Sequence, residues 1–239
     1  MGADIRANFE AVEERILAAE LKAGRGADGI KLVAVSKTHP PGSIQKAIEA
    51  GATVFGENKV QEAESKIPEV GRDVAEWHLI GHLQSNKARK AVQLFDVIQS
   101  VDSLELARRL ERICEEEGRD KLSVFVQVDL VGEATKSGIS ENELPRLAEF
   151  LKDCKQLEFN GLMILPPYFE DAEKTRPYFR RLRQIRDDLA SKNAFANGIG
   201  ELSMGMSHDF EVAIEEGATI VRVGTAIFGE RNSAADKHG

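Results

Sequence analysis

The stretch KLVAVSKTHP, residues 31–40, places a single lysine at the end of a short apolar run. The β-branched and aliphatic segment 32–35 is typical of a parallel strand that is buried on both faces. Pro40 and Pro41 prevent further strand pairing, and the residues after them repeat apolar side chains at helical spacing. Because parallel α/β folds bind ligands at the carboxyl ends of their strands, Lys37 is a candidate site residue.

An alternation of strand-like and helix-like segments continues from this stretch to the end of the chain. The apolar patterns predict strands at about 32–36, 53–55, 77–80, 97–101, 123–129, 157–164, 200–203 and 219–223. Helical patterns lie at about 43–50, 58–66, 84–93, 103–117, 141–153, 171–191 and 207–216, with a short helical turn after 224. Eight strands, each followed by a helix, predict an α/β fold with a single (β/α)8 TIM barrel, preceded by an extra amphipathic helix over 3–22. An open, doubly wound sheet is the alternative fold.

The composition of the 239 residues argues against several classes of function. The formal net charge of −8 disfavours a nucleic-acid-binding protein, because such proteins bind phosphates with many cationic side chains. No apolar run approaches the ~20 residues that cross a bilayer, and the charged N-terminus is unlike a signal peptide, so we expect a cytoplasmic location without membrane attachment. Cys114 and Cys154 lack zinc-site spacing, and His78 and His82 lie on a strand and the loop after it. We therefore predict reduced thiols and no metal site.

The residues after the last two predicted strands indicate an anion site. SMGMS and VGTAIFG bring small residues to two predicted helix N-termini, beginning near Ser207 and Gly224. In a barrel these termini lie side by side, where free backbone amides and the hydroxyls of Ser207 and Thr225 can bind a phosphate. A lysine across the mouth suggests a phosphorylated carbonyl compound held as a Schiff base. Burial and a second cation, for which Arg222 is the candidate, would lower the lysine pKa and make the amine nucleophilic.

Four motifs, in order, resemble those of a known family. They are SKTHP at 36–40, FGENKVQEA at 55–63, WHLIGHLQSNK at 77–87 and ELSMGMSHDFEVAIEEGATIVRVGTAIFGER at 201–231. Over almost its whole length the chain is similar to the pyridoxal phosphate homeostasis proteins, which are related to the N-terminal barrel of alanine racemases. The resemblance implies one cofactor-binding TIM-barrel domain over 1–231, and we expect the remaining residues, 232–239, to form a flexible tail.

The resemblance also implies a cofactor, pyridoxal 5′-phosphate (PLP), and a role for each candidate residue. Lys37 would hold PLP as a Schiff base, and Arg222 would face the pyridine nitrogen. The phosphate would be bound by Ser207, Gly224 and Thr225, and the pocket would be lined by Asn58 and Met204. A permanent cation beside the ring nitrogen disfavours its protonation, which weakens the ring as an electron sink.

The chain departs from the racemases in the residues that would move a proton. Those enzymes carry a second, β-rich domain with a tyrosine base, and neither Tyr168 nor Tyr178 looks like its replacement. We therefore predict no catalytic residue, little or no turnover, and a monomer that helps to manage the cellular PLP pool by exchange with amino acids or PLP-dependent apo-enzymes. A PLP-dependent amino-acid racemase is the alternative, and a Schiff-base aldolase acting on sugar phosphates is a weaker one. His82, within the third motif, receives no role.

Structural interpretations of the same residues also remain open at the level of sequence. Arg222 can form an ion pair with a barrel carboxylate such as Glu57, in which case its charge would serve the fold. Asn58 can cap the helix that follows it, as asparagine often does. Met204 and Met206 can be ordinary core residues. The contacts of these side chains decide between the alternatives.

Overall fold

The computed structural model describes residues 3–26, 29–132 and 137–229, which form a closed parallel β/α barrel. The strands are β1 (Lys31–Val35), β2 (Val54–Glu57), β3 (Glu76–Leu79), β4 (Val97–Val101), β5 (Leu122–Asp129), β6 (Ile139–Ser140), β7 (Leu157–Met163), β8 (Glu201–Met206) and β9 (Ile220–Val223). The helices are α1 (Ile5–Lys22), α2 (Pro41–Glu49), α3 (Val60–Val70), α4 (Ala88–Leu94), α5 (Leu104–Glu117), α6 (Leu144–Lys152), α7 (Arg176–Ser191), α8 (Phe210–Glu215) and α9 (Thr225–Phe228). The pairings of β4 with β5 and of β9 with β1 close the barrel. This closure confirms the predicted TIM barrel and excludes the open sheet.

Two apolar layers hold the barrel together. The inner layer takes one side chain from each of six strands: Val33, Val54, Val97, Phe125, Met163 and Ile220. All six are buried, so this layer closes the barrel beneath its carboxyl mouth instead of leaving a pore. The larger cluster fills the space between strands and helices, and its bulkiest members include Phe55, Trp77 and Phe95. Burial of apolar surface contributes roughly 25 cal/mol per Å², so the larger cluster provides most of the hydrophobic stabilisation.

The helix predicted before the barrel is present as α1, which packs against α2, α8 and α9. Asp4 caps its first turn by accepting the backbone N–H of Ala7 at 3.1 Å. The side-chain amide of Asn8 donates to the carbonyl of Ile227 at 2.9 Å. This helix therefore supports the two short helices that follow the last strands of the barrel.

Local differences from the sequence prediction lie near the carboxyl mouth. The two-residue strand β6, which was not predicted, pairs in parallel with the end of β5. Strand β8 extends to Met206, and α8 begins at Phe210 instead of near Ser207. The reason is a turn in which Asp209 accepts the backbone N–H of Met206 at 2.7 Å, so that the chain completes the turn before the helix starts.

Other features of the described ranges bear on the predicted class of protein. No helix within them is long and apolar enough to cross a membrane. Cys114 is buried and Cys154 is half-buried, and both are free thiols. The predicted tail, 232–239, lies outside the described residues.

Candidate functional site

A cavity of about 590 Å³ opens at the carboxyl ends of the barrel strands. Small-molecule sites typically occupy ~300–1,000 Å³, so the cavity has the size of a ligand site. Six of the seven residues predicted for the cofactor line it: Lys37, Asn58, Ser207, Arg222, Gly224 and Thr225. The fold therefore brings residues from the first and the last strands of the barrel into one site.

The seventh predicted residue, Met204, does not line this cavity. Its side chain is fully buried in the cluster between strands and helices, and Met206 lines the cavity instead. The β8–β9 register shifts between Ser203 and Met206, and Gly205 has a φ of 93°. Leu202 and Met204 face the helices and Ser203 faces the barrel interior, as the regular alternation of a strand requires, and the bulge after Met204 turns Met206 towards the cavity. The prediction that Met204 lines the pocket is therefore wrong.

Lys37 lies in a tight turn after β1, which we call the Lys37 turn and define as residues Ser36 to His39. The backbone N–H of His39 donates to the carbonyl of Ser36 at 3.1 Å. Thr38 has a φ of 65°, which is strained for a β-branched residue. Its backbone N–H donates to the carboxylate of Glu62 at 2.8 Å, so a side chain of α3 holds the strained residue in place.

A buried ion pair lies against the Lys37 turn. The ammonium group of Lys66 donates to both carboxylate oxygens of Glu57 at 3.1 Å, to the carbonyl of Ser36 at 3.0 Å and to Glu62 at 3.1 Å. The hydroxyl of Ser36 donates to Glu57 at 2.6 Å. Burial raises the pKa of the Glu57 carboxyl, and the charge of Lys66 and the Ser36 hydroxyl oppose this rise. These contacts connect the Lys37 turn to β2 and α3.

Arg222 is a buried cation that lines the same cavity. Its guanidinium donates to the hydroxyl of Ser203 at 2.7 Å and to the carbonyl of Ile164 at 2.8 Å. Burial lowers the pKa of Arg222 to about 10, and the charge of Asp209 opposes this shift. Within the ranges that the structure describes, no carboxylate forms a salt bridge with Arg222. The alternative pairing with Glu57 is therefore wrong, because Glu57 pairs with Lys66.

The predicted anion site is an amide-rich turn between β9 and α9. The hydroxyl oxygen of Ser207 accepts the backbone N–H groups of Gly224 at 3.2 Å and Ala226 at 3.4 Å. Two amide donors thus converge on one oxygen, as they would on an oxygen of a bound phosphate. A Cβ on Gly224 would lie 3.3 Å from Val35, so glycine allows the close approach of β1 to this turn. The two helices near the turn are short, so the converging amides rather than long helix dipoles make the site suitable for an anion.

Asn58 lines the cavity directly after β2 and does not cap the next helix. Helix α3 begins at Val60, and its N-cap residue, Lys59, makes no side-chain capping hydrogen bond. A Cβ on Gly81 would lie only 2.2 Å from the backbone carbonyl oxygen of Asn58. Glycine at this position of the third motif therefore allows the loops after β2 and β3 to pack closely at the cavity wall.

Two aromatic groups at the cavity were not assigned to the site from sequence. Nδ1 of His82 lies 3.0 Å from the carboxylate of Asp102, so the loops after β3 and β4 hold this imidazole at the wall. Tyr168 is 75% exposed at the rim, and its ring lies 5.3 Å from the ring of His208. Both His82 and Tyr168 lie in loops that follow barrel strands. Their place after a strand is the sequence signal that could have identified them. Among the described residues, no group of His, Cys, Asp and Glu side chains is arranged to hold a metal ion.

Comparisons with known sequences agree with the motifs. A family model described as "Alanine racemase, N-terminal domain" matches residues 5–232. A pyridoxal phosphate homeostasis protein of Aquifex aeolicus is 44% identical over 220 residues, which cover 92% of this chain and 95% of the relative. The protein of the same name from Escherichia coli K12 is 42% identical over 234 residues, covering 96% and 97% of the two chains.

Solved structures show the same fold. PipY of Synechococcus elongatus PCC7942, solved with PLP bound, has a TM-score of 0.75 and 42% identity, covering 90% of this chain and 99% of its own. A crystal structure of an unknown protein from Bifidobacterium adolescentis has a TM-score of 0.86 and 39% identity, with 94% of each chain covered. An alanine racemase of Clostridium difficile has a TM-score of 0.69 at 16% identity, covering 95% of this chain and 58% of the racemase, which shows the fold alone.

Proposed function

The chain belongs to the pyridoxal phosphate homeostasis protein family, and from this premise we propose that it binds PLP reversibly as a Schiff base on Lys37. The PLP-bound state of the 42% identical PipY supports PLP as the ligand of this chain. We further propose a cytoplasmic monomer that takes part in PLP homeostasis and exchanges the cofactor with amino acids or PLP-dependent apo-enzymes. Little or no catalysis of its own is part of this proposal.

The residues of the cavity fit the chemical groups of PLP. An amine, Lys37, lines the cavity and matches the aldehyde. The turn at Gly224, whose amides already converge on the Ser207 hydroxyl oxygen, matches the phosphate. Arg222, a buried cation without a salt-bridge partner among the described residues, matches an acceptor nitrogen on the ring. PLP, when bound, supplies an electron sink for reactions of amino groups.

Arg222 gives a second reason to expect little turnover, beside the lack of a tyrosine that replaces the base of the racemases. A guanidinium remains protonated at neutral pH even with the pKa of about 10 that burial produces here. It offers hydrogen-bond donors and no acceptor, so it would donate to the ring nitrogen of bound PLP and disfavour protonation of that nitrogen. An unprotonated ring withdraws electrons less strongly, which favours holding the cofactor over using it in catalysis.

The observation that carries the proposal is the meeting of Lys37, Arg222 and the Ser207–Gly224 contact at one cavity. The test is reduction of the PLP-loaded protein with borohydride, followed by mass spectrometry of its peptides. We expect the cofactor mass on Lys37, and loss of the visible absorbance of bound PLP in Lys37→Ala but not in the control Lys59→Ala. Label on a different lysine, or an unchanged spectrum in Lys37→Ala, contradicts the proposal.

One observation favours a second candidate function, amino-acid racemisation. His82 lines the cavity and is oriented by Asp102, an arrangement that suits proton transfer. Turnover of D- or L-amino acids well above that of free PLP, and its loss in His82→Gln, would support this function. No turnover across the common amino acids would exclude it and leave cofactor binding as the function.

A further inference from the structure

A chain of polar side chains crosses the interior of the barrel and ends at Arg222. The Arg222 guanidinium lies 2.7 Å from the Ser203 hydroxyl, which lies 2.5 Å from Oε1 of Gln99. Nε2 of Gln99 lies 2.7 Å from Nδ1 of His78, and Nε2 of His78 lies 2.7 Å from the carboxylate of Glu76. We call Glu76, His78, Gln99 and Ser203 the barrel relay. It connects the cavity to the opposite face of the barrel, where strand β3 begins.

The side chains of the barrel relay are deeply buried, apart from that of Glu76. His78, Gln99 and Ser203 are fully buried, and Arg222 is 3% exposed. Burying polar groups is unfavourable unless each finds a hydrogen-bond partner, and here each of them does. The chain occupies interior positions beside the apolar inner layer, and its contact with the cavity is made through Arg222.

The chemistry of the groups gives the hydrogen bonds one direction. Arg222 can only donate, so the Ser203 oxygen accepts from it and the Ser203 hydroxyl donates to Oε1 of Gln99. The amide nitrogen of Gln99 can then only donate, which makes Nδ1 of His78 an acceptor. The proton of His78 is therefore on Nε2, from which it donates to Glu76. A cation thus begins the chain and an anion ends it.

The reverse orientation of the Gln99 amide leaves groups without partners. The Ser203 hydroxyl would then accept from both Arg222 and Gln99, and its own hydrogen would have no acceptor within the chain. His78 would donate from Nδ1, and its Nε2 lone pair would face the Glu76 carboxylate unless the ring carried a second proton. Burial lowers the pKa of His78, which opposes that second proton even though Glu76 favours it. The one-way chain satisfies every member.

We infer that the barrel relay positions the Arg222 guanidinium and links it, through neutral His78, Gln99 and Ser203, to a carboxylate on the far face of the barrel. Its members are positioning residues, because none of them except Ser203 touches Arg222 and none is assigned to contact the cofactor. Glu76 is held at the far end by Lys31, whose ammonium lies 3.2 Å away. The consequence for the cofactor rests on the proposed function, in which Arg222 faces the ring nitrogen.

The direction of the barrel relay is tested without any cofactor. Nitrogen-15 NMR of histidine-labelled protein, with His78→Gln used to assign the resonance, reports which ring nitrogen carries the proton. We expect a neutral ring protonated at Nε2, with Nδ1 in its unprotonated form, at pH 7. A doubly protonated ring, or a proton on Nδ1, overturns the inference, whether or not the protein binds PLP.

The positioning role is tested by PLP affinity together with apoprotein stability. Ser203→Ala breaks the chain next to Arg222, and we expect PLP binding about tenfold weaker, equal to ~1.4 kcal/mol, with a shifted absorbance maximum of bound PLP. Glu76→Gln removes only the distant charge and should act in the same direction, by about two- to threefold. The matched control is Glu158→Gln, since Glu158 also pairs with a lysine, Lys121, at 3.2 Å and is 36% exposed compared with 35% for Glu76. This control should bind PLP as the original chain does.

Three outcomes contradict the positioning role. Unchanged affinity and spectrum in Ser203→Ala, or equal effects of Glu76→Gln and Glu158→Gln on affinity, would refute it. Loss of stability in the apoprotein with normal PLP binding would show that the chain serves the fold alone. Failure of the original chain to bind PLP would defeat the proposed function instead, and the NMR result would still decide the direction of the relay.

Discussion

Lys66→Met is the substitution that most directly tests the buried ion pair beside the Lys37 turn. The Lys66 side chain is 9% exposed and Glu57 is fully buried, and the ammonium contacts two carboxylates and a backbone carbonyl. Methionine has a similar length and keeps the apolar part of the packing. The substitution therefore removes the cation and leaves Glu57 buried without its partner.

The expected loss of stability follows from protonation of the Glu57 carboxylate in the variant. An unpaired buried carboxylate takes up a proton, and protonating a carboxyl of ordinary pKa ~4.3 at pH 7 costs about 3.7 kcal/mol, at ~1.36 kcal/mol per pKa unit. We therefore expect the variant to lose about 3–4 kcal/mol at pH 7, within the range of ~3–5 kcal/mol that is typical of broken buried pairs. At pH 5 the same reasoning gives an expected loss of stability of only about 1 kcal/mol.

The sign of this pH dependence is fixed by linkage. In the variant the folded-state pKa of Glu57 is raised further, so above the unfolded-state pKa the folded protein binds more protons than the unfolded chain. Its stability relative to the original chain therefore falls as the pH rises from about 4.3 towards the raised pKa. Burial already raises the pKa of Glu57 in the original chain, and the charge of Lys66 limits that rise.

Urea denaturation at pH 7 and pH 5, followed by the fluorescence of the single tryptophan, Trp77, measures both effects. The control Lys90→Met removes an exposed lysine that lies 3.4 Å from Glu64, and it should change the free energy of unfolding by at most ~1 kcal/mol. Combining Lys66→Met with Glu57→Gln should recover part of the loss and remove its pH dependence. A loss at pH 7 no larger than that of the control, or one that is the same at pH 5, would refute the reasoning.

The remaining predictions concern packing, backbone strain and thiol reactivity. Gly81→Ala should lower the free energy of unfolding by about 1–3 kcal/mol in urea denaturation, because the new Cβ meets the Asn58 carbonyl oxygen at 2.2 Å; a neutral result would contradict the close packing. Thr38→Gly should raise the free energy of unfolding by up to ~1 kcal/mol, because it relieves a positive φ, and a loss would mean that the threonine side chain is needed. Cys114 and Cys154, whose pKa values burial raises to about 11 and about 12, should react with iodoacetamide at pH 8 far more slowly than a small free thiol, and comparable rates would contradict their burial.

Much of the fold and of the site could be predicted because both depend on local patterns. Periodicity identifies the eight barrel strands, and a TIM barrel places the residue after each strand at one mouth. Lys37 and Asn58 therefore needed only their position in the chain to be assigned correctly to the cavity. Met204 was assigned wrongly because it keeps the regular alternation of β8 and faces the helices with Leu202, whereas a bulge at Gly205 turns Met206 to the cavity. Such a bulge depends on pairing between strands that the sequence of one strand does not determine.

The barrel relay could not be predicted for a related reason. His78, Gln99 and Ser203 are visible in the sequence as polar residues within predicted strands. The contacts that join these three run between different strands, however, and Ser203 and Gln99 are 104 residues apart. Which inward positions meet depends on the stagger of the closed barrel, and a shift of one residue would turn each side chain to the other face. A buried polar residue in a strand is therefore a signal that a partner exists, and closure of the barrel decides that these four residues meet one another and Arg222. Arg222 could be assigned to the cavity from the local sequence around it, but the contacts that orient its guanidinium extend to the opposite end of the barrel.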